Sequence, residues 1–217
     1  MYFDRTQRRF LEIIGPHLDP DVDALAALQE AEHRNLGIFG YGIKGFTLSM
    51  VEAAIELTGE RISAAEIGDL LKAGREMLTH PVDLLDGVAE GIDRLVDAGY
   101  RLVLVTKGDL HHQEVKIAGS GLEDRFERIE IVAEKDPLTY RKVIERMDVQ
   151  PTEFCMVGNS VRSDVLPVLS LGGRAVHIPY HLTWAHEHAE HDGTVPTLES
   201  FAELPAWLAR HGGHTTP

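Results

Sequence analysis

Apolar residues over the first eighty positions recur every three or four places, and from Leu102 onward they gather instead into short unbroken runs. The first rhythm is that of helices with one buried stripe; the second is that of strands buried on both faces. Phe10, Ile13, Ile14 and Leu18 form one stripe. Asp19-Pro20-Asp21 is expected to open a second helix carrying Val22, Leu25, Leu28 and Leu36. A third is predicted over 46–58, where Met50, Val51, Ala54, Ile55 and Leu57 precede Gly59. A fourth is predicted over 63–78, with Ser63 and Glu66 spaced as a capping box. Residues 1–80 therefore predict an all-helical module with its own small core.

At Pro81 the pattern changes. Leu85, Val88, Ile92, Leu95 and Val96 line a helix that Gly99 ends. Predicted strands over 102–106, 129–133, 154–158 and 174–178 then alternate with predicted helices over 111–119, 137–147 and 162–171. Alternation at this spacing predicts a parallel, Rossmann-like α/β sheet with right-handed crossovers, so that residues 81–217 form the core domain. Asp136-Pro137 is a helix start, a cap acceptor followed by proline at the first helical position, and Gly172-Gly173 is a stop. A short helix is expected around 204–209, followed by a polar tail.

Composition narrows the field. A chain of 217 residues with 43% hydrophobic content can build a core domain and a small second one. Its 35 acidic against 21 basic residues, a formal charge of −14, argue against a nucleic-acid surface, which needs clustered Lys and Arg. A small anion remains allowed, since a few focused positive groups decide that locally. No apolar run approaches about 18 residues, and the start Met1-Tyr2-Phe3-Asp4-Arg5-Thr6 has no signal-peptide core, so the expectation is a cytoplasmic, soluble protein without a membrane partner. The single Cys155 falls in a predicted strand, where it reads as a small hydrophobe, and it excludes an intrachain disulfide.

Three predicted strands end in residues that carry chemistry. One ends at Thr106, followed by Lys107, Gly108 and Asp109; one leads to Lys135; the third runs Phe154-Cys155-Met156-Val157 into Gly158-Asn159-Ser160-Val161-Arg162-Ser163-Asp164. Ligands in such sheets bind outside the carboxyl ends of the strands, which is where Thr106, Lys135, Asn159 and Asp164 fall. On the bare sequence, Thr106 is also an ordinary β-branched strand terminus, Lys135 a solvated turn residue, and Asp164 a helix cap near Ser163.

In their order and rough spacing, these stretches resemble the second, third and fourth motifs of the haloacid dehalogenase-like hydrolases, and the helical block before them resembles the type-1 cap of that family. The likeness covers residues 1 to 180. It implies phosphoryl transfer on a small phosphorylated metabolite, with Mg²⁺ as cofactor. Thr106 would donate to a phosphoryl oxygen, Lys135 would place a cation between phosphate and nucleophile, and Asp164 with Asn159 would hold the metal. Lys107 and Asp109 follow Thr106 on the same loop, and Arg162 could anchor its loop by an ion pair.

The first motif, an apolar strand ending in Asp-x-Asp, has no counterpart here: Tyr2-Phe3-Asp4-Arg5-Thr6 lacks both the strand and the second aspartate, and Asp4 is expected to face solvent. In the family that strand lies between those ending here at Thr106 and Val157. The favoured expectation is a segment upstream of Met1 that carries it; the polypeptide beginning at Met1 is expected to show no phosphatase turnover and to leave inner strand edges open. The alternative is an inactive remnant that acts as a binding protein or a homodimer.

Two further patterns call for a reading. Gly40-Tyr41-Gly42-Ile43-Lys44-Gly45 matches G-x-G-x-x-G but follows a helical run rather than a buried strand, which argues against a dinucleotide site and leaves an interhelical turn or a cap loop over the active site. As a cap loop it offers Tyr41 and Lys44 to a substrate. His177, His181, His186, His188 and His191 fit no structural zinc spacing; His177 is expected to end the last strand, with Trp184 anchoring the loop beyond it.

Overall fold

The computed structural model describes residues 2–180 and 195–211. His181, Trp184, His186, His188 and His191 lie outside the described residues. In chain order the main elements are α1 (Tyr2–Ile14), α2 (Ala24–Phe39), α3 (Ile43–Leu57), α4 (Ala64–Leu78), α5 (Val88–Asp97), β1 (Val103–Lys107) and α6 (Leu110–Ser120). They continue with β2 (Arg128–Val132), α7 (Pro137–Met147), β3 (Cys155–Gly158), α8 (Leu166–Leu169), β4 (Arg174–His177) and α9 (Leu204–His211). Two compact units result, one made of Met1–Val82 with Lys107–Gly119 and the other of Asp83–Thr106 with Ser120–Pro217.

The first unit is the helical cap. Phe10 and Ile14 of α1, Leu28 and Ala31 of α2, Met50 and Ala54 of α3, and Leu70 of α4 are buried together in one core. Burying each larger side chain stabilises the unit by roughly 1.5–3 kcal/mol. Asn35 on α2 donates to Ser49 Oγ at 3.2 Å and to Glu52 Oε2 at 2.7 Å on α3, so the polar groups in that helix contact are matched. Between α3 and α4 the backbones come close: a Cβ on Gly74 would lie 2.2 Å from Thr47 Oγ1. Ser63 and Glu66 form the reciprocal capping box at the start of α4.

Asp19-Pro20-Asp21 does not open α2. The Val22 amide donates to the Asp19 carbonyl at 3.1 Å, closing a turn in which proline occupies its favoured second position. The cap is Asp23, whose carboxylate accepts from the Ala26 amide at 3.0 Å. Helix α3 in turn begins at Ile43, three residues before the expected start, because Gly42 with φ +123° supplies the turn into it.

In the second unit β1 neighbours β2, and β3 runs parallel to β4 with Cys155 opposite Arg174 and Gly158 opposite His177. These are two two-stranded sheets; among the described residues no ladder joins β1 to β3. Alternate strand residues face opposite layers. Val105, Phe154 and Met156 pack with Tyr140, Val143 and Ile144 of α7, while Cys155, Val157 and Val176 pack with Leu95 of α5 and Leu204 and Leu208 of α9. The unit is thus an α/β core with parallel strands sandwiched between helices. Leu85 stands outside α5, which starts after the left-handed Gly87. The helix expected over 162–171 is a wide turn over Val161–Val165 followed by the short α8.

Candidate active site

β3 ends at Gly158, and the chain then turns sharply. The Ser160 side chain accepts from the Ser163 amide at 3.0 Å. The Asp164 amide returns to the Ser160 carbonyl at 2.8 Å, while the Val165 amide reaches that same carbonyl at 3.2 Å. Bonds spanning five residues make this a π-type turn, a feature that recurs at functional sites. It brings the Asp164 carboxylate back over the end of β3, where Oδ2 accepts from the Ser160 amide at 3.0 Å. A Cβ on Gly158 would lie 2.2 Å from that oxygen, so glycine is required by the closeness of the carboxylate.

Asp164 is 3% exposed. Its charge is met by Lys135, whose ammonium stands 2.7 Å from Asp164 Oδ1. Lys135 precedes α7, and the helix start is fixed next to it by Asp136, which accepts from the Thr139 amide at 2.7 Å. That backbone bond holds the Asp136 carboxyl below its ordinary range. Three residues into α7, Tyr140 directs its fully buried hydroxyl at the same turn, 3.1 Å from the Ser163 carbonyl and 3.4 Å from Asp164 Oδ1.

Asn159 follows β3, and its backbone carbonyl accepts from His177 Nε2 at 3.1 Å. Since Gly158 and His177 are partners in the β3–β4 ladder, the last residue of one strand fixes the first residue beyond the other. Thr106 is half-buried inside β1, which extends one residue further to Lys107. Lys135 and Asp164 thus meet beyond the end of β3, which Asn159 directly follows, and Thr106 is the next-to-last residue of β1.

A second group forms within the helical unit. Lys107 Nζ stands 3.8 Å from the centre of the Tyr41 ring, and the Lys44 ammonium is 3.0 Å from both Asp109 oxygens. Asp109 also caps α6, accepting from the His112 amide at 3.0 Å. That bond first, and the Lys44 charge second, lower the Asp109 carboxyl. The G-x-G-x-x-G loop is therefore pinned at both ends of its polar face, by a cation–π contact and by an ion pair.

Tyr140 and His177 are the site residues that strand-end reasoning passes over. Tyr140 carried a signal: with helix α7 anchored at Asp136-Pro137, positions 140, 143, 144 and 147 fall on one face, and a tyrosine there brings a hydroxyl into the core. His177 carried none beyond ending its strand.

A carboxylate offers about four acceptor positions. Lys135 takes one on Asp164 Oδ1 and the Ser160 amide takes one on Oδ2, while the Tyr140 hydroxyl, whose single proton goes to the Ser163 carbonyl, stands 3.4 Å from Oδ1, so acceptor capacity remains for a metal. Among the described residues no three His, Cys, Asp or Glu side chains gather as a ligand cluster. A single carboxylate suits Mg²⁺, which keeps most of its water and takes phosphate oxygens as further ligands, and does not suit zinc.

A sequence profile of the haloacid dehalogenase-like hydrolases matches residues 24–172. The chain is 43% identical to a haloacid dehalogenase-like family hydrolase from Xanthomonas campestris, whose crystal structure it matches with a TM-score of 0.84 over 96% of this chain and 84% of that one. The chain belongs to the haloacid dehalogenase-like hydrolases, a family in which Mg²⁺ is the usual cofactor. It is also 29% identical over 99 residues to the glyceraldehyde 3-phosphate phosphatase of Pyrococcus abyssi, a match covering 43% of this chain and 42% of that protein, so less than half the length of that relative is spanned. A 2-haloacid dehalogenase from Pseudomonas syringae, 20% identical with a TM-score of 0.62, shares the fold. No helix among the described residues is long and apolar enough to cross a membrane.

Proposed function

We propose that the protein is a magnesium-dependent phosphatase acting in the cytoplasm on small phosphate monoesters. The observation that carries this reading is the Lys135 ammonium held 2.7 Å from the buried Asp164 carboxylate. Displacement at phosphorus piles negative charge onto non-bridging oxygens, and a fixed cation and oriented donors lower its barrier without having to reorganise. Asp164 and the side-chain oxygen of Asn159 are the residues assigned to hold Mg²⁺, which when bound would neutralise phosphoryl charge. Lys135 is assigned to the phosphate and to the incoming nucleophile, whose mutual repulsion it offsets. Thr106 is assigned as a donor to a phosphoryl oxygen. Asp164 is committed to Lys135 and Ser160 and is not assigned as nucleophile.

Lys107, one residue after Thr106, and its neighbours Tyr41 and Lys44 are assigned to selection among esters. The glyceraldehyde 3-phosphate phosphatase of Pyrococcus supports a small phosphorylated metabolite as the substrate class. The test is a panel of small phosphate monoesters offered to the complete gene product with and without Mg²⁺. Metal-dependent phosphate release is expected, and none from the whole panel would rule the reading out.

A further inference from the structure

In an α-helix the carbonyl of residue 163 accepts from the amide of residue 167. Here residue 167 is proline, which has no N–H and whose ring crowds the carbonyl four residues back. The ladder around it is widened: the Val165 amide bonds the Ser160 carbonyl at 3.2 Å, and the Leu166 amide bonds the Val161 carbonyl, each across five residues. Just beyond the proline, ordinary spacing returns, with the Ser170 amide 3.0 Å from the Leu166 carbonyl. The Tyr140 hydroxyl donates to the Ser163 carbonyl at 3.1 Å.

We propose that Pro167 and Tyr140 are a positioning pair for Asp164: Pro167 opens the turn, and the Tyr140 hydroxyl supplies from α7 the donor that proline lacks. Tyr140 is suited to this by rigidity. Its ring is fully buried among Val143, Ile144 and Phe154, with the Phe154 ring centre 6.5 Å away. The next residue after Ser163 is Asp164, so the bond that fixes the carbonyl also fixes the carboxylate between the Ser160 amide and the Lys135 ammonium. The pair bears on catalysis only through the phosphatase reading of Asp164, but its geometry stands apart from that reading.

The test is a double-mutant cycle in the whole protein with Tyr140→Phe, Pro167→Ala and both together. Tyr140→Phe should lower Tm by about 3–8 °C, because a buried carbonyl loses a donor. The double variant should recover most of that loss, since residue 167 then has an amide to give. If Tyr140→Phe alone does not fold, folding of the double variant is the same rescue. In that double variant, hydrogen exchange at the Ser160 amide should speed up roughly tenfold while β3 and β4 amides stay protected, because Asp164 is no longer held against it. Additive Tm losses, or a double variant that does not fold, would overturn the substitution of one donor for the other. Recovered Tm with unchanged Ser160 exchange would overturn the positioning role. Phosphatase turnover on the same proteins is separate: a parent without turnover but with the stated cycle removes the phosphatase reading and leaves the pair in place.

Discussion

The Lys135 ammonium and the Asp164 carboxylate, 29 positions apart in the chain, meet at 2.7 Å in the interior of the α/β unit. Neither is there by chance of surface encounter. Lys135 is set by the capped start of α7, and Asp164 by the π-type turn after β3. Removing one member of such a pair leaves the other desolvated and uncompensated. Lys135→Ala should cost about 2–4 kcal/mol in urea unfolding, less than for a wholly lone charge because the Ser160 amide still donates to Asp164. Lys135→Ala with Asp164→Asn should be less destabilised than Lys135→Ala alone. Equal losses in the two would mean that the pair carries no coupling.

Glu32 on α2 sets a pH dependence. Among the described residues its buried Oε1 has no hydrogen-bond partner, and burial pushes its carboxyl up to about 7 from an ordinary 4.5. The folded state therefore holds a proton that the unfolded chain has released, so this contribution is full below pH 4.5 and falls away as pH rises through about 7. Glu32→Gln should match the parent near pH 4.5 and exceed its stability by about 1–2 kcal/mol at pH 8. A gain of the same size at both pH values would contradict the burial argument.

Glu66 runs the other way. His17 Nε2 at 2.6 Å, then the Ser63 amide and hydroxyl, hold its carboxyl down at about 2. Its contribution is present above pH 4.5 and is lost as pH falls toward about 2. The stability difference between parent and Glu66→Gln should shrink steadily across that window in acid titrations followed by circular dichroism. A difference that persists at pH 2 would show the capping box to be indifferent to charge.

Much of this was legible in the chain itself. Ser63 with Glu66, Asp136 with Pro137, and the strand runs ending near Thr106 and Gly158 rest on local chemistry, and local chemistry placed them within a residue or two. The turn that aims Asp164 was not legible, because a proline nine residues past the end of β3 is compatible with a helix, a kink or a loop until a donor from another element decides. That donor is Tyr140, contributed across 23 positions. The expected start of α2 at Asp19-Pro20-Asp21 was wrong because the Asp19–Val22 bond closes a turn there, and the carboxylate that caps the helix is Asp23.

Tyr41 and Lys107 should govern preference among esters more than the rate of the chemical step. Tyr41→Phe retains a ring face for the Lys107 cation and should leave relative kcat/KM values across the ester panel within about twofold, whereas Tyr41→Leu should reorder them. Uniform loss on every ester would place Tyr41 in the general machinery instead.

The central claim is tested most directly by a magnesium titration of turnover for the complete gene product and its Lys135→Ala and Asp164→Ala variants on one small phosphate monoester. The account predicts that Asp164→Ala raises the magnesium requirement and is partly rescued at high metal. It predicts that Lys135→Ala loses at least about a hundredfold in kcat at every magnesium concentration, since metal on one side cannot replace the ammonium on the other. Near-parent turnover in Lys135→Ala, or a deficit that magnesium erases, would contradict it.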